Sequence, residues 1–277
     1  WLHRVINPTG KEPFWFFGQE KNSFQFFLQY LHYFLCESHY DVFVCVVMSI
    51  YAVHSIQSGI VGKKYWIEKT PHNELNVQKL HSLFPKAKFV NVVRNPLTNI
   101  TSFKKLSEMR GWKTTSLEYI YLIKKLWHAA KRNQEILGED RYLIVSYEDL
   151  ISQTRKILNG ICTFLDIPFH ETMLVPTENS HPATANSVFK ENMVKGEILD
   201  QSDSKRYLKN LSKGELQDIV TILYDDAIDF GYNWNDQDIK CYKRTKIVQL
   251  LLIFLRFLAS FGKRIYAKVM RHLRRET

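Results

Sequence analysis

The chain has 277 residues, 45% of them apolar and 24% charged. That is ordinary for a globular protein with one large core and room for a small appendage, and it excludes a disordered or fibrous chain. The net charge of +10 is unevenly spread: from Lys243 onward ten Lys/Arg face Glu276 alone, so the basic character belongs to a tail and says little about the ligand of the main body.

The sequence starts at Trp1, with no initiator Met and no signal-peptide pattern at this end, so a fragment or a processed chain is expected. Asn7-Pro8-Thr9-Gly10 is a turn signal, and NPTGK lacks the glycine spacing of a phosphate-binding loop. Between 23 and 59, Phe24, Phe27, Leu28, Leu31, Phe34 and Leu35 fit one helical face. The run Val42 to Val53 is too short to span a bilayer comfortably and predicts a buried helix. His32, His39 and His54 lack metal-ligand spacing and read as structural. Cys36, Cys45, Cys162 and Cys241 have neither CxxC nor zinc-like spacing, which predicts buried free thiols in a reducing compartment.

The most informative stretch is 64–103. Tyr65-Trp66-Ile67 predicts a strand, ended by Glu68-Lys69-Thr70-Pro71, with Pro71 opening the next helix. Leu75, Leu80, Leu83 and Phe84 recur at helical spacing up to Pro85, and Phe89-Val93 predicts a buried parallel strand. Arg94-Asn95-Pro96 then opens another helix, completing a βαβ unit. Lys69 leaves one strand end, Arg94 leaves the other, and Ser102 follows eight residues after Arg94. Ligands bind at the carboxyl edge of an open α/β sheet, and an Arg fork with a nearby hydroxyl suits a phosphate.

Further on, a helix is predicted from Ser116, as its cap, to Leu137, closed by Gly138, with Trp127 in the core. Arg141–Ser146 predicts a strand followed by Tyr147-Glu148-Asp149-Leu150. Ile157, Ile161, Phe164 and Leu165 mark the next helix, and 170–210 reads as a polar loop over a site. Leu216, Ile219, Leu223 and Ala227 mark a last domain helix ending at Gly231-Tyr232. In the tail, Ile247 to Phe261 is apolar with Arg256 inside and basic residues on both sides. That suits a helix on an anionic membrane surface, with packing on the domain or on a partner subunit as the alternative.

IEKTP, then LFPKAKFVNVVRNP with Ser102 after it, resembles the sulfotransferases that use 3′-phosphoadenosine 5′-phosphosulfate (PAPS). YEDL after a strand and FLDIPF are similar to further features of that family. The resemblance implies an α/β, three-layer P-loop-NTPase-like fold with a central parallel sheet flanked by helices. It would occupy 1–240, with a basic, apolar, helical tail over 241–277. It implies that Arg94 and Ser102 bind the 3′-phosphate of PAPS and that Lys69 stabilises charge on the transferring group and the leaving phosphate. KEPFWFF resembles a stretch of glycan sulfotransferases whose Glu is the catalytic base, so Glu12 takes that role, against a plain surface carboxylate, with His72 as the alternative base. Arg206 and Tyr207 stand where relatives carry a nucleotide-contacting pair, and Arg206 is equally readable as a surface cation. Tyr147 and Glu148 are expected near the nucleotide in a structural role.

The family's 5′-phosphosulfate loop, a pattern like G-x-x-[KR]-[SG]-G-T, does not occur in the sequence. On this alignment the sequence starts just after it, with Trp1 to Val5 in the following helix. Either the natural protein is longer or it is a degenerate member. The expected reaction moves a sulfuryl group from PAPS, without a metal, to a hydroxyl acceptor, a carbohydrate by the likeness of KEPFWFF and EKTP to glycan enzymes. The competing reading is a non-catalytic, sulfotransferase-like nucleotide- or glycan-binding protein at a membrane surface. A nucleoside kinase is disfavoured, since there is no Walker loop and no magnesium-binding acid, and no nucleic-acid partner is implied. The expected location is cytoplasmic and peripheral to the membrane, with the Golgi lumen as the alternative. A glycan on the Asn99-Ile100-Thr101 sequon would block the phosphate site, which favours the cytoplasm; Asn210-Leu211-Ser212 is a second sequon.

Overall fold

The structure is a computed structural model and describes residues 23–37, 42–59, 65, 67–178, 181–183, 195–198, 206–232 and 234. The chain divides into two compact units, Trp1–Pro71 and His72–Thr277.

In the first unit, helix α1 (Ser23–Glu37) packs on helix α2 (Val42–Ser58). Phe27, Leu31, Cys45, Val46 and Val53 are buried between them, with Tyr30, Phe34 and Ile50 alongside. The buried stripe of α1 is narrower than the predicted face: Leu28 and Leu35 are exposed. The helix predicted over Val42–Val53 is present, but it too is only partly buried, with Val42, Tyr51 and Ile56 exposed. Tyr65 and Ile67 lie in irregular chain rather than a strand, and Ile67 is 86% exposed. A strand needs a neighbour to satisfy its ladder, and apolar propensity alone does not supply one.

The second unit opens at His72, in a turn that includes Pro71 of the first, and continues in a 3-10 helix, Asn73–Leu75, so Pro71 precedes the helical chain instead of starting it. Helix α3 (Val77–Leu83) leads to strand β1 (Phe89–Val93). Helices α4 (Pro96–Arg110) and α5 (Ser116–Leu137) then cross to strand β2 (Tyr142–Ser146). The two strands pair in parallel, Phe89 with Tyr142 through Val93 with Ser146. Helices α6 (Tyr147–Ser152) and α7 (Thr154–Leu165) follow, then a two-residue ladder of β3 (Thr177–Glu178) with β4 (His181–Pro182). Helices α8 (Arg206–Asn210) and α9 (Lys213–Asp229) complete the described order.

Local chemistry sets the helix ends. Asn95 caps α4 by accepting from the Leu97 amide, with Pro96 in the first turn and Gly111 closing it at φ 63°. The cap of α5 is Thr115, one residue before the predicted Ser116, because Thr115 and Glu118 form a reciprocal capping box. Ser212 and Glu215 do the same for α9.

The core of this unit joins α4, α5 and α9 through Leu97, Ile100, Ile120, Ile123, Trp127, Ile219, Leu223 and Trp234. Each such aliphatic side chain stabilises the fold by about 1.5–3 kcal/mol relative to exposure. Trp127 is 5% exposed, as its predicted core role requires. Strand β1 is parallel as expected but not buried on both faces: Val93 points into the core, whereas Val90 and Val92 are exposed, Val92 by 48%. Of the four cysteines, Cys45 and Cys162 are buried and Cys36 is exposed, none of the three in a disulfide, and Cys241 lies outside the described residues. The tail lies outside them too. Among the described residues no helix is long and apolar enough to cross a membrane.

Candidate functional site

Strand β1 delivers Arg94 at its carboxyl end. The guanidinium carbon lies 4.6 Å from the centroid of the Tyr147 ring, a cation–π contact with the first residue after β2. The next residue, Asn95, turns the chain and caps α4, its side-chain oxygen accepting from Leu97 N at 3.0 Å. The amino end of α4 therefore opens directly beside Arg94, where the helix dipole favours an anion. Ser102 is half-buried on the same helix, roughly two turns in.

Glu148 holds this corner together. Its Oε1 accepts the backbone N–H of Asn95 at 3.0 Å. Its Oε2 accepts from the Tyr232 hydroxyl at 3.2 Å and from Ser146 Oγ at 3.4 Å. Ser146 also caps α6, its oxygen accepting from Asp149 N at 3.2 Å. Tyr232 is fixed from behind by the Trp127 ring, stacked at 5.9 Å, and Trp127 packs on Phe230 at 4.6 Å.

Arg94 acts electrostatically on two further tyrosines. Burial pushes the Tyr232 phenol well above its usual range, the Glu148 charge adds to that, and Arg94 opposes it. Burial likewise raises Tyr119, again against the pull of Arg94. Tyr119 donates to Asn99 Oδ1 at 3.2 Å and stacks on Phe103 with centroids 3.7 Å apart. The Arg94 guanidinium thus packs on Tyr147 and acts through its charge on Tyr119 and Tyr232, at the start of a helix that carries a hydroxyl farther along. That arrangement can receive a phosphate: a positive charge at a strand end, beside a helix amino end.

The other predicted residues are distributed as follows. Tyr207 is half-buried on α8 and packs on the main core. Helix α8 packs on α4, and Lys104 of α4 donates to the Asn210 carbonyl at its end, at 3.2 Å. Arg206 lies on α8, and its side chain is outside the described residues. Lys69 is exposed in irregular chain of the first unit, beside Thr70, whose hydroxyl donates to Glu68. His72 is exposed at the start of the second unit and adopts φ 71°, the left-handed region that a non-glycine residue rarely takes. Glu12 lies outside the described residues. No group of His, Cys, Asp and Glu suited to a metal occurs among the described residues.

The sequence reading missed Tyr232 as a member of the corner and reached Glu148 only through its motif. The available signal was modest: a tyrosine directly after the helix-closing Gly231 is a fixed point from which a hydroxyl can reach back to the sheet.

The model of the sulfotransferase family matches residues 22–171, more than half of the chain, and includes β1, α4, α5, β2 and Glu148, but not Tyr232. The chain belongs to the sulfotransferase family, and it is an enzyme of that class. Two solved structures are similar to it. The sulfotransferase domain of the olefin synthase of Synechococcus PCC 7002 gives a TM-score of 0.47 at 19% identity, over 74% of this chain and 75% of that one. The sulfotransferase domain from the curacin biosynthetic pathway gives 0.34 at 20% identity, over 55% of this chain and 59% of that one. No curated protein matches the sequence significantly.

Proposed function

We propose that the chain transfers a sulfuryl group from PAPS to a hydroxyl of a carbohydrate. The observation that carries the donor half is Arg94 at the carboxyl end of β1, set against the amino end of α4, with Ser102 on that helix. In this reading Arg94 and Ser102 hold the 3′-phosphate and distinguish PAPS from ATP. Arg206 and Tyr207, on the helix that packs against α4, add nucleotide contacts.

The acceptor hydroxyl attacks sulfur in line. Its O–S bond forms as the S–O bond to the 5′-phosphate breaks, its proton passes to the Glu12 carboxylate, and adenosine 3′,5′-bisphosphate leaves. Lys69 balances charge on the transferring group and the leaving phosphate, and His72 is the alternative base. Chemistry of this kind depends on positioning and charge stabilisation and needs no covalent intermediate. The carbohydrate acceptor rests on KEPFWFF and EKTP. The basic tail would hold the enzyme on the cytoplasmic face of an anionic membrane.

Calorimetry on the 277-residue chain tests the donor site, comparing adenosine 3′,5′-bisphosphate with AMP. The bisphosphate should bind more tightly, and Arg94→Ala should abolish that preference, a change of about tenfold or more for a lost charge-assisted contact. Equal binding of the two ligands by the unaltered chain would overturn the assignment.

A further inference from the structure

We propose that Glu148 is a positioning residue, which sets the direction in which Arg94 presents its guanidinium to the donor's 3′-phosphate. The inference rests on the Arg94 reading above and adds a residue that need not touch the nucleotide.

The argument begins with one peptide plane. The Asn95 N–H that donates to Glu148 at 3.0 Å belongs to the same rigid unit as the Arg94 carbonyl. Fixing that N–H fixes the ψ angle of Arg94 and hence the line along which its side chain leaves β1. The carboxylate that does this is itself held from two other segments, by Ser146 at the end of β2 and by Tyr232 beyond α9. The Tyr232 phenol stays protonated because burial raises it, so it remains a donor.

The neighbour of Glu148 acts on the same arginine from the other side, since the Tyr147 ring lies 4.6 Å from the guanidinium carbon. Two consecutive residues therefore place Arg94, one through its backbone and one through its charged group. The chemistry asks for a carboxylate in particular. Three donors converge on Glu148, and an ionised carboxylate offers acceptors only. A glutamine of the same shape would lose the charge that strengthens all three bonds, and could keep its oxygen on the Asn95 N–H only by turning its NH2 to the two hydroxyls, which would then have to accept instead of donate.

The test is the ratio of bisphosphate to AMP affinity, measured by calorimetry on the full chain for the unaltered protein, Arg94→Ala, Glu148→Gln and Tyr232→Phe. Loss of folded protein lowers the bound amount of both ligands alike and leaves the ratio of their dissociation constants unmoved, whereas a misdirected Arg94 weakens only the bisphosphate. Glu148→Gln should reduce the ratio by less than the loss of about tenfold or more on Arg94→Ala, because the charge stays and only its direction changes. Tyr232→Phe, which keeps the carboxylate and removes one of its supports, should reduce it less and in the same direction. Where Glu148→Gln does not fold, Tyr232→Phe carries the test. If Arg94→Ala abolishes the ratio while the folded variant of Glu148 or Tyr232 keeps it unchanged, the positioning role is overturned and the Arg94 site stands. If Arg94→Ala leaves the ratio unchanged, or the unaltered chain shows no preference, the underlying site falls and the positioning role falls with it.

Discussion

Two carboxylates in the second unit each gather several donors, and they do different jobs. Glu148 stands at the carboxyl edge of the β1–β2 pair and takes its bonds from neutral groups: a backbone N–H and two hydroxyls. Glu215 stands in the first turn of α9 and takes one from a cation, Lys104 Nζ at 2.9 Å, besides Ser116 Oγ at 2.8 Å and the Ser212 amide at 2.8 Å. Glu215 ties three helices together far along the chain from β1. Glu148 ties two strand ends and the segment after α9, directly behind the arginine proposed to bind phosphate. A similar number of bonds can thus serve stability in one place and aim in another, and what they hold decides which.

The largest effect on stability should come from Glu215→Ala. It leaves the Ser212 amide and Ser116 without this acceptor and takes from Lys104 its carboxylate partner, and should cost about 2–3 kcal/mol in urea unfolding. The bisphosphate-to-AMP ratio should not change, and a parallel loss of that ratio would erase the contrast with Glu148. A second test uses pH. Burial works to raise the Glu215 carboxyl, but the bonds from the Ser212 main chain, Lys104, Ser116 and the Ser212 hydroxyl outweigh it and hold the group down at about 2, against 4.5. A lowered folded-state value means that the contribution is fully present above about 4.5 and is lost as pH falls through about 2. The gap in unfolding free energy between the unaltered chain and Glu215→Gln should therefore narrow on acidification across that window. A gap independent of pH would show that the charge of Glu215 is not what stabilises. The smallest effect belongs to Glu171→Ala. Its bidentate pair with Arg155 is short, one arm at 2.7 Å, but both partners are fully exposed. Solvent screening and side-chain entropy offset such pairs, so thermal unfolding should not shift measurably.

Much of this arrangement is legible in the sequence, for identifiable reasons. Helix α5 is readable because twenty-two residues of one period sit between a cap and a glycine. Even its shifted cap is encoded, since Thr115-x-x-Glu118 satisfies the capping-box pattern, as Ser212-x-x-Glu215 does for α9. Strands β1 and β2 are readable because β-branched and aromatic residues make up most of them. Tyr65 to Ile67 looks just as strand-like, yet its described residues form no ladder. Strand propensity reports fit to a pleated, half-buried surface, and that surface is a tertiary fact. The exposure of Val90 and Val92 is the same limit met from the other side. As for the site, Arg94 at the strand end and Ser102 on the next helix are readable because a strand, a turn and a helix are consecutive in the chain. The Glu148 corner was hidden because one of its donors is a backbone N–H and another comes from 84 residues away. Nothing in a side-chain pattern records where a main-chain amide will find its acceptor.

The parallel register has a kinetic consequence. Phe89 faces Tyr142, so the ladder joins residues separated by two whole helices, and it cannot begin to zip until that long crossover has closed. Closing such a loop costs entropy before any strand bond repays it, which makes this pairing an expectedly late event in folding. A newly made chain whose α4 and α5 have formed already carries Arg94, but Ser146, Tyr147 and Glu148 reach it only when β2 docks. The nucleotide selection proposed for Arg94 would then be acquired all at once, at the end of folding. A partly folded molecule would carry the arginine without the means to aim it.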